Sequence, residues 1–241
     1  MSGLKGFWDF LPFLLQGVPV TLELTFAAMA VALPISVLLA VARNAPFAVL
    51  RWPAGFVVEF FRGSSALVQL FWAYYVLPFF GINLPPLAAG ILVLGLNEGA
   101  YFSEVVRAGL NAVPKGQREA SITLHLPAGY RFFRIILPQA LPIMIPPFGN
   151  AMVTMLKFTA LASLVSIHEL SFHASMIRSS TGLSAPVYST TLLIYFVLAL
   201  LLAGLVKLLE RSVNRRAGRE VLPLFTPARP SVPAWALGGR S

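Results

Sequence analysis

Long runs without a charged residue dominate the pattern of hydrophobic and polar positions along the chain. Leu24–Ala42, Gly63–Asn97, Ile135–Leu156 and Ser179–Val206 each contain no Asp, Glu, Lys or Arg. A helix needs about 20 mostly apolar residues to cross the roughly 30 Å hydrocarbon core of a bilayer. The second run is too long for one crossing, since at about 1.5 Å per residue it would reach roughly 50 Å. It is also interrupted by Gly81-Ile82-Asn83-Leu84-Pro85-Pro86, and tandem proline ends a helix. The pattern therefore predicts an all-α polytopic membrane protein with five transmembrane helices, at about 20–42, 57–80, 87–106, 137–157 and 186–208.

Composition excludes a water-facing globule. The 241 residues are 57% hydrophobic and 11% charged, against about 25% charged in soluble domains. A net charge of +9 could suit nucleic acid, but that needs basic residues gathered on one soluble face. Here they flank the apolar runs, as in loops held at an anionic lipid surface, so membrane lipid is the expected surrounding and nucleic acid is not a partner. Lys and Arg also set the orientation. With the N-terminus outside and the C-terminus inside, fifteen of the eighteen fall on the inner side, leaving only Lys5, Lys157 and Arg178 outside. Residues 1–16 read as an extracytoplasmic amphipathic segment without a cleavable signal. Residues 210–241 read as a basic, disordered cytoplasmic tail.

Missing chemistry narrows the function. There is no cysteine, hence no disulfide, thiolate metal site or cysteine nucleophile. No G-x-x-x-x-G-K-[ST] loop is present to cradle a nucleotide. His168 and His173 are five residues apart, whereas ligation from one helix face needs four, so no metal site is expected. No acidic pair or Ser/His/Asp set falls in one span, and no catalytic residue is expected. Polar groups inside spans are costly and mark either a pathway or a structural pair. Gln69, Asn97, Glu98 and Glu104 are those groups. Asn97, Tyr101 and Glu104 share one helix face by spacing, and Glu104 lies three residues from Arg107, as an ion pair would. Asn97 and Glu98 suit a solute path or helix packing equally. Phe71-Trp72-Ala73-Tyr74-Tyr75 reads as an outer interfacial belt.

The longest inner loop, 107–136, carries the most specific signal. Pro114 can open one short helix and Pro127 a second, giving either a docking lever for a soluble partner or a plain connector. Its residues resemble the EAA loop of bacterial ABC-importer permeases: Glu-Ala-Ala, a glycine at the seventh position, nine residues, then Ile-x-Leu-Pro. Glu119, Ala120, Ser121, His125, Ile135, Leu137 and Pro138 stand at those positions. Ser121 replaces an alanine and His125 replaces the glycine, whose role is a turn with positive φ. Histidine tolerates that conformation better than most residues, so the turn is expected to persist.

Over about 17–209 the chain is similar to the permeases for polar amino acids. Phe61-Arg62-Gly63-Ser64-Ser65, Gly99-Ala100-Tyr101-Phe102-Ser103-Glu104, Leu137-Pro138-Gln139-Ala140 and Pro146-Pro147-Phe148-Gly149-Asn150 carry the likeness. The resemblance implies a type I ABC-importer transmembrane domain in a bacterial inner membrane, working by alternating access. It implies three kinds of partner: a second permease (identical or paralogous), a cytoplasmic ABC ATPase dimer and an extracytoplasmic solute-binding protein. ATP is bound by the ATPase partner, so this chain is a transport subunit without a cofactor. Glu119, Ala120, Ser121 and His125 would couple to the ATPase. Gln69, Asn97, Glu98, Tyr101, Phe158 and Thr159 would line the solute path.

Related permeases often carry Lys-Asp-Thr-Ser-Leu where this chain has Lys157-Phe158-Thr159-Ala160-Leu161. A carboxylate there can neutralise an amino or guanidino group, whereas a phenyl ring offers only its face to a cation. That substitution favours a zwitterion, including an ectoine-type compatible solute, over a cationic amino acid. The alternative class is a self-sufficient secondary transporter or channel driven by an ion gradient, and a third is a membrane assembly factor with no solute path.

Overall fold

The computed structural model describes residues 10–216; the expectations for Met1–Asp9 and for the tail beyond Arg216 lie outside them. Among the described residues every regular element is helical. The order is α1 (Gly17–Arg43), α2 (Ala48–Gly63), α3 (Ala66–Phe71), α4 (Pro86–Asn111), α5 (Lys115–Thr123), α6 (Leu137–Phe158), α7 (Leu170–Thr181) and α8 (Ser184–Arg216). A π-type turn (Trp72–Val76) and a 3-10 turn (Leu77–Phe80) extend α3, and a helical turn at Ala128–Tyr130 runs through a π-type turn (Arg131–Ile136) into α6.

The spine is the pair α1 and α4. Apolar burial cannot drive helices together inside lipid, so close backbone approach between small residues does that work. Gly95 and Gly99 of α4 face Ala28 and Ala32 of α1. A Cβ on Gly95 would sit 2.9 Å from the Ala28 carbonyl oxygen, and one on Gly99 3.2 Å from that of Ala32. Gly90 meets Leu24 one turn earlier. Contacts rise together along both chains, so α1 and α4 run parallel. The polypeptide must return between parallel neighbours, and α2 and α3 make that return. The chain reverses into α6, where Met144 faces Gly109 and Phe148 packs edge-on to Phe102 at 5.5 Å.

Four sequence-based boundaries change, one of them at the tail expected to be disordered over 210–241, whose residues 210–216 are the end of α8. Among the described residues three helices are long and apolar enough to cross a membrane, Phe10–Arg43, Ala128–Val165 and Ser184–Val213, and Ala66–Phe80 is a shorter apolar one. The expected span at 57–80 is not one helix. It breaks at Ser64-Ser65, both extended, because glycine favours no helix and the Ser64 hydroxyl donates to the Phe60 carbonyl at 2.6 Å, competing with the helical ladder. Residues 10–15, expected within an amphipathic segment at the outer interface, are helical and lead into α1. Phe10 and Leu14 bury against Leu170, Ala174, Ile177 and Val187. Finally, α4 runs on to Asn111 and helix resumes at Ala128, so only 112–127 of the expected loop stands between long helices.

Candidate functional site

The break after α2 explains several of the mid-span polar residues. A helix end packed against other helices leaves its last carbonyls to be satisfied by neighbouring side chains. Gln69 Nε2 donates to the Phe61 carbonyl at 3.0 Å and to Ser64 Oγ at 2.7 Å. Asn97 Nδ2 reaches from α4 to the same Phe61 carbonyl at 3.0 Å and to Gln69 Oε1 at 3.1 Å. The Tyr101 hydroxyl donates to the Arg62 carbonyl at 3.0 Å, with the Arg62 guanidinium 5.4 Å from its ring centroid. Gln69 and Asn97 thus hold the break in place. Asn97→Leu should therefore cost about 1–3 kcal/mol, the usual effect of leaving buried partners unpaired. Thermal unfolding of the detergent-solubilised protein checks it, and an unchanged midpoint would contradict this capping role.

Beside the break lies a charged cluster. Glu104 pairs with Arg43 and, at 2.7 Å, with Arg107, as its spacing predicts. Arg62 lies 3.9 Å from Glu104, and Glu59 sits 3.9 Å from Arg43 and 3.8 Å from Arg62. The cluster ties together the last turns of α1 and α2 and the final third of α4.

A cavity of about 420 Å³ opens between α4 and α6. Glu98 and Tyr101 line it from α4; Pro147, Asn150, Thr154 and Phe158 line it from α6. Glu98 is only 6% exposed. Among the described residues the side chains of Glu98, Asn150 and Thr154 make no hydrogen bond or ion pair. A carboxylate, an amide and a hydroxyl with unused capacity therefore face one space walled by aromatic rings. Such a set can receive an ammonium group at one point and a carboxylate at another. Pro146 and Pro147 remove two ladder donors from α6 beside the cavity, freeing the carbonyls of Pro142 and Ile143 on that helix.

Of the expected path residues, Glu98, Tyr101 and Phe158 meet in this cavity. Thr159 does not, being fully buried with its hydroxyl donating to the Leu156 carbonyl at 2.7 Å. Asn150 and Thr154 were not among the expected path residues, although 150, 154 and 158 recur at the four-residue spacing of one helix face.

At the other end of α4, α5 is bounded by Pro114, with Pro127 opening the next turn, as expected. Arg118 donates to the Leu110 carbonyl and so fastens α5 to the end of α4. Ser121 is buried, its hydroxyl donating to the Arg118 carbonyl at 2.6 Å, so it faces the body of the protein. Glu119, Ala120 and His125 are exposed, together with the apolar Ile122 and Leu124. His125 has φ 51° and turns the chain after α5, the left-handed conformation expected of it.

Comparison with known proteins agrees with this layout. The family described as "Binding-protein-dependent transport system inner membrane component" matches residues 32–215. The chain belongs to this family. A probable amino-acid ABC transporter permease protein, y4tF of Sinorhizobium fredii, is 42% identical over 67% of the chain and 70% of that protein. The L-cystine transport system permease protein TcyB of Bacillus subtilis is 34% identical over 88% of the chain and 89% of its own length. A chain in the crystal structure of an amino acid ABC transporter with histidines superposes with a TM-score of 0.79 at 32% identity, over 86% of this chain and 97% of that one.

This family member also carries a buried polar knot that its sequence pattern does not reveal. Glu169, fully buried at the start of α7, accepts from the Phe172 backbone N–H at 2.8 Å and from the Tyr195 hydroxyl at 2.5 Å. Burial pushes its carboxyl above the usual range, against hydrogen bonds from Tyr195, Ser171 and Phe172 that favour the ionised form. Next to it, the Leu170 N–H donates to Thr21 Oγ1 at 3.1 Å, and a Cβ on Gly17 would lie 2.7 Å from Leu170 Cα. Only glycine allows α7 to approach α1 this closely.

Proposed function

We propose that this chain is the permease subunit of an ATP-driven amino-acid importer and that its solute passes through the cavity between α4 and α6. The single observation that carries the solute site is the buried Glu98 carboxylate, unpaired and facing that space with Asn150 and Thr154. In this reading Glu98 receives the α-ammonium group, Asn150 and Thr154 receive the carboxylate, and Tyr101 and Phe158 wall the side chain. The expectation that Phe158 disfavours cationic solutes then loses its ground, because Glu98 supplies a carboxylate to the same cavity. The relatives' names support an amino acid as cargo, and an ectoine-type zwitterion would use the same groups.

Five crossings with the N-terminus outside fit the parallel course of α1 and α4, which requires an intervening return, and the concentration of basic residues at one end. The cytoplasmic ATPase dimer docks on α5 through Glu119, Ala120, Ile122 and Leu124. His125 supplies the turn behind them. A second permease completes the pathway, and an extracytoplasmic binding protein delivers solute in a bacterial inner membrane. ATP binding draws the two ATPases together, α5 moves with its ATPase, and Arg118 carries that motion into α4 and the cavity wall.

Uptake by cells carrying the whole system, with and without this chain, tests the reading. The panel is labelled cystine, glutamine, arginine, histidine and ectoine. Accumulation of at least one amino acid should depend on the chain and should persist when the ion gradient is collapsed at constant ATP. Accumulation that follows the gradient after ATP depletion would establish the secondary-transporter reading instead.

A further inference from the structure

The charged cluster at the end of α1 opens onto a cavity that the transport reading does not use. It measures about 560 Å³ and is lined by Arg43, Arg51, Trp52, Gly55, Phe56, Glu59 and Arg107. Arg43 closes α1 and Arg107 lies in the last turns of α4, the end at which the basic residues gather, which puts both at headgroup depth. The charges do not cancel. Arg43, Arg51, Arg62 and Arg107 face only Glu59 and Glu104, and Glu104 is already shared between Arg43 and Arg107. Among the described residues the Arg51 guanidinium has no ion pair or hydrogen bond, and it is exposed.

The helix that carries Arg51 is equally one-sided. In α2 only Ala54 and Val58 are buried. Trp52 and Phe56, one turn apart, are 75% and 73% exposed, and Phe60 continues the stripe at 55%. An apolar stripe beside uncompensated arginine on a helix at headgroup depth matches the two halves of a phospholipid: anionic phosphate and acyl chain. Guanidinium is suited to the phosphate because its planar donors pair with two oxygens at once.

We propose that this cavity is a binding site for an anionic phospholipid, with the phosphate held by Arg51 between Arg43 and Arg107 and the acyl chains lying along Trp52, Phe56 and Phe60. The site is distinct from the Glu98 cavity and does not depend on which solute is carried. Bound there, the lipid bridges α1, α2 and α4, the helices that Glu104 also ties together.

Native mass spectrometry of the purified full-length chain in its complex, delipidated and then titrated with phosphatidylglycerol or phosphatidylcholine, tests the site. Phosphatidylglycerol should be retained about tenfold better. Arg51→Gln should lower that retention about fivefold, the effect of one arginine at an anionic surface, while Arg178→Gln, on another exposed helix, should not. Trp52→Ala should weaken both lipids. Because the Arg51 and Trp52 side chains are exposed, neither change threatens folding, and unaltered thermal midpoints would verify this. Equal retention of the two lipids, or no effect of Arg51→Gln, overturns the proposal. So does competition by inorganic phosphate as strong as that by phosphatidylglycerol, which would mark a free-anion site. Release of a protein subunit by Arg51→Gln with lipid retention unchanged would mark a protein interface and overturn it too.

Discussion

Glu119→Arg is expected to abolish the stimulation of ATP hydrolysis by loaded binding protein in the assembled complex, while leaving the chain inserted and folded. The side chain is exposed on α5 and makes no ion pair among the described residues, so the fold loses nothing by its removal. The neighbouring Arg118 already donates to the Leu110 carbonyl at the end of α4. A new arginine would therefore place like charge beside the contact by which Arg118 fastens α5 to α4. Truncating one partner of a desolvated charge pair costs about 2–5 kcal/mol; reversal costs more, which amounts to loss of productive docking. Hydrolysis by the complex in nanodiscs, with and without binding protein, reads this directly. Normal stimulation in the variant would remove α5 as the coupling element.

The second large effect is expected at Glu98. Glu98→Gln should lower solute uptake about a hundredfold, since a charge-assisted hydrogen bond to an ammonium group is replaced by a neutral one in a poorly hydrated cavity. Stability should move the other way or stay level. Among the described residues Glu98 has no hydrogen-bond or ion-pair partner to lose, and an amide is cheaper to bury than a carboxylate. Adjacent Asn97 predicts the opposite pair of outcomes: lower stability with the carboxylate cavity intact. Counterflow into proteoliposomes loaded with ATP, together with thermal unfolding of both variants, separates the two roles. Unchanged uptake in Glu98→Gln, or a lowered unfolding midpoint, would make Glu98 a structural residue.

Why adjacent residues differ is a matter of helix geometry. Residues 97 and 98 are separated by about 100° around α4. Gly95 and Gly99, one on each side, press that helix onto α1 and set its rotation. In that rotation Asn97 meets the end of α2 and Glu98 meets α6. Hydropathy treats the two residues alike, and no local pattern states which neighbour each one faces. Gln69 illustrates the same limit: its expected place in a solute path followed from its depth in an apolar run, while its partner is a carbonyl exposed by a helix break. The Glu104–Arg107 pair was legible because both members lie on one helix at a fixed spacing, and the His125 turn because backbone conformation depends on the residue itself.

The sequence alone determined that this protein is helical and rich in membrane-length apolar stretches, that it has no cysteine and hence no thiol chemistry, and that it carries an EAA-type segment within 107–136. Those properties are local sums of hydropathy, charge position and short spacings, which a linear pattern preserves. Tertiary structure decided which polar groups are spent on a broken helix and which are left facing a cavity, that Ser121 turns inward on α5, and that Arg51, without an ion pair among the described residues, stands beside exposed aromatic rings. These outcomes depend on how helices far apart in sequence are rotated against one another, and that rotation is set by close contacts such as Gly95 on Ala28, which no single segment contains.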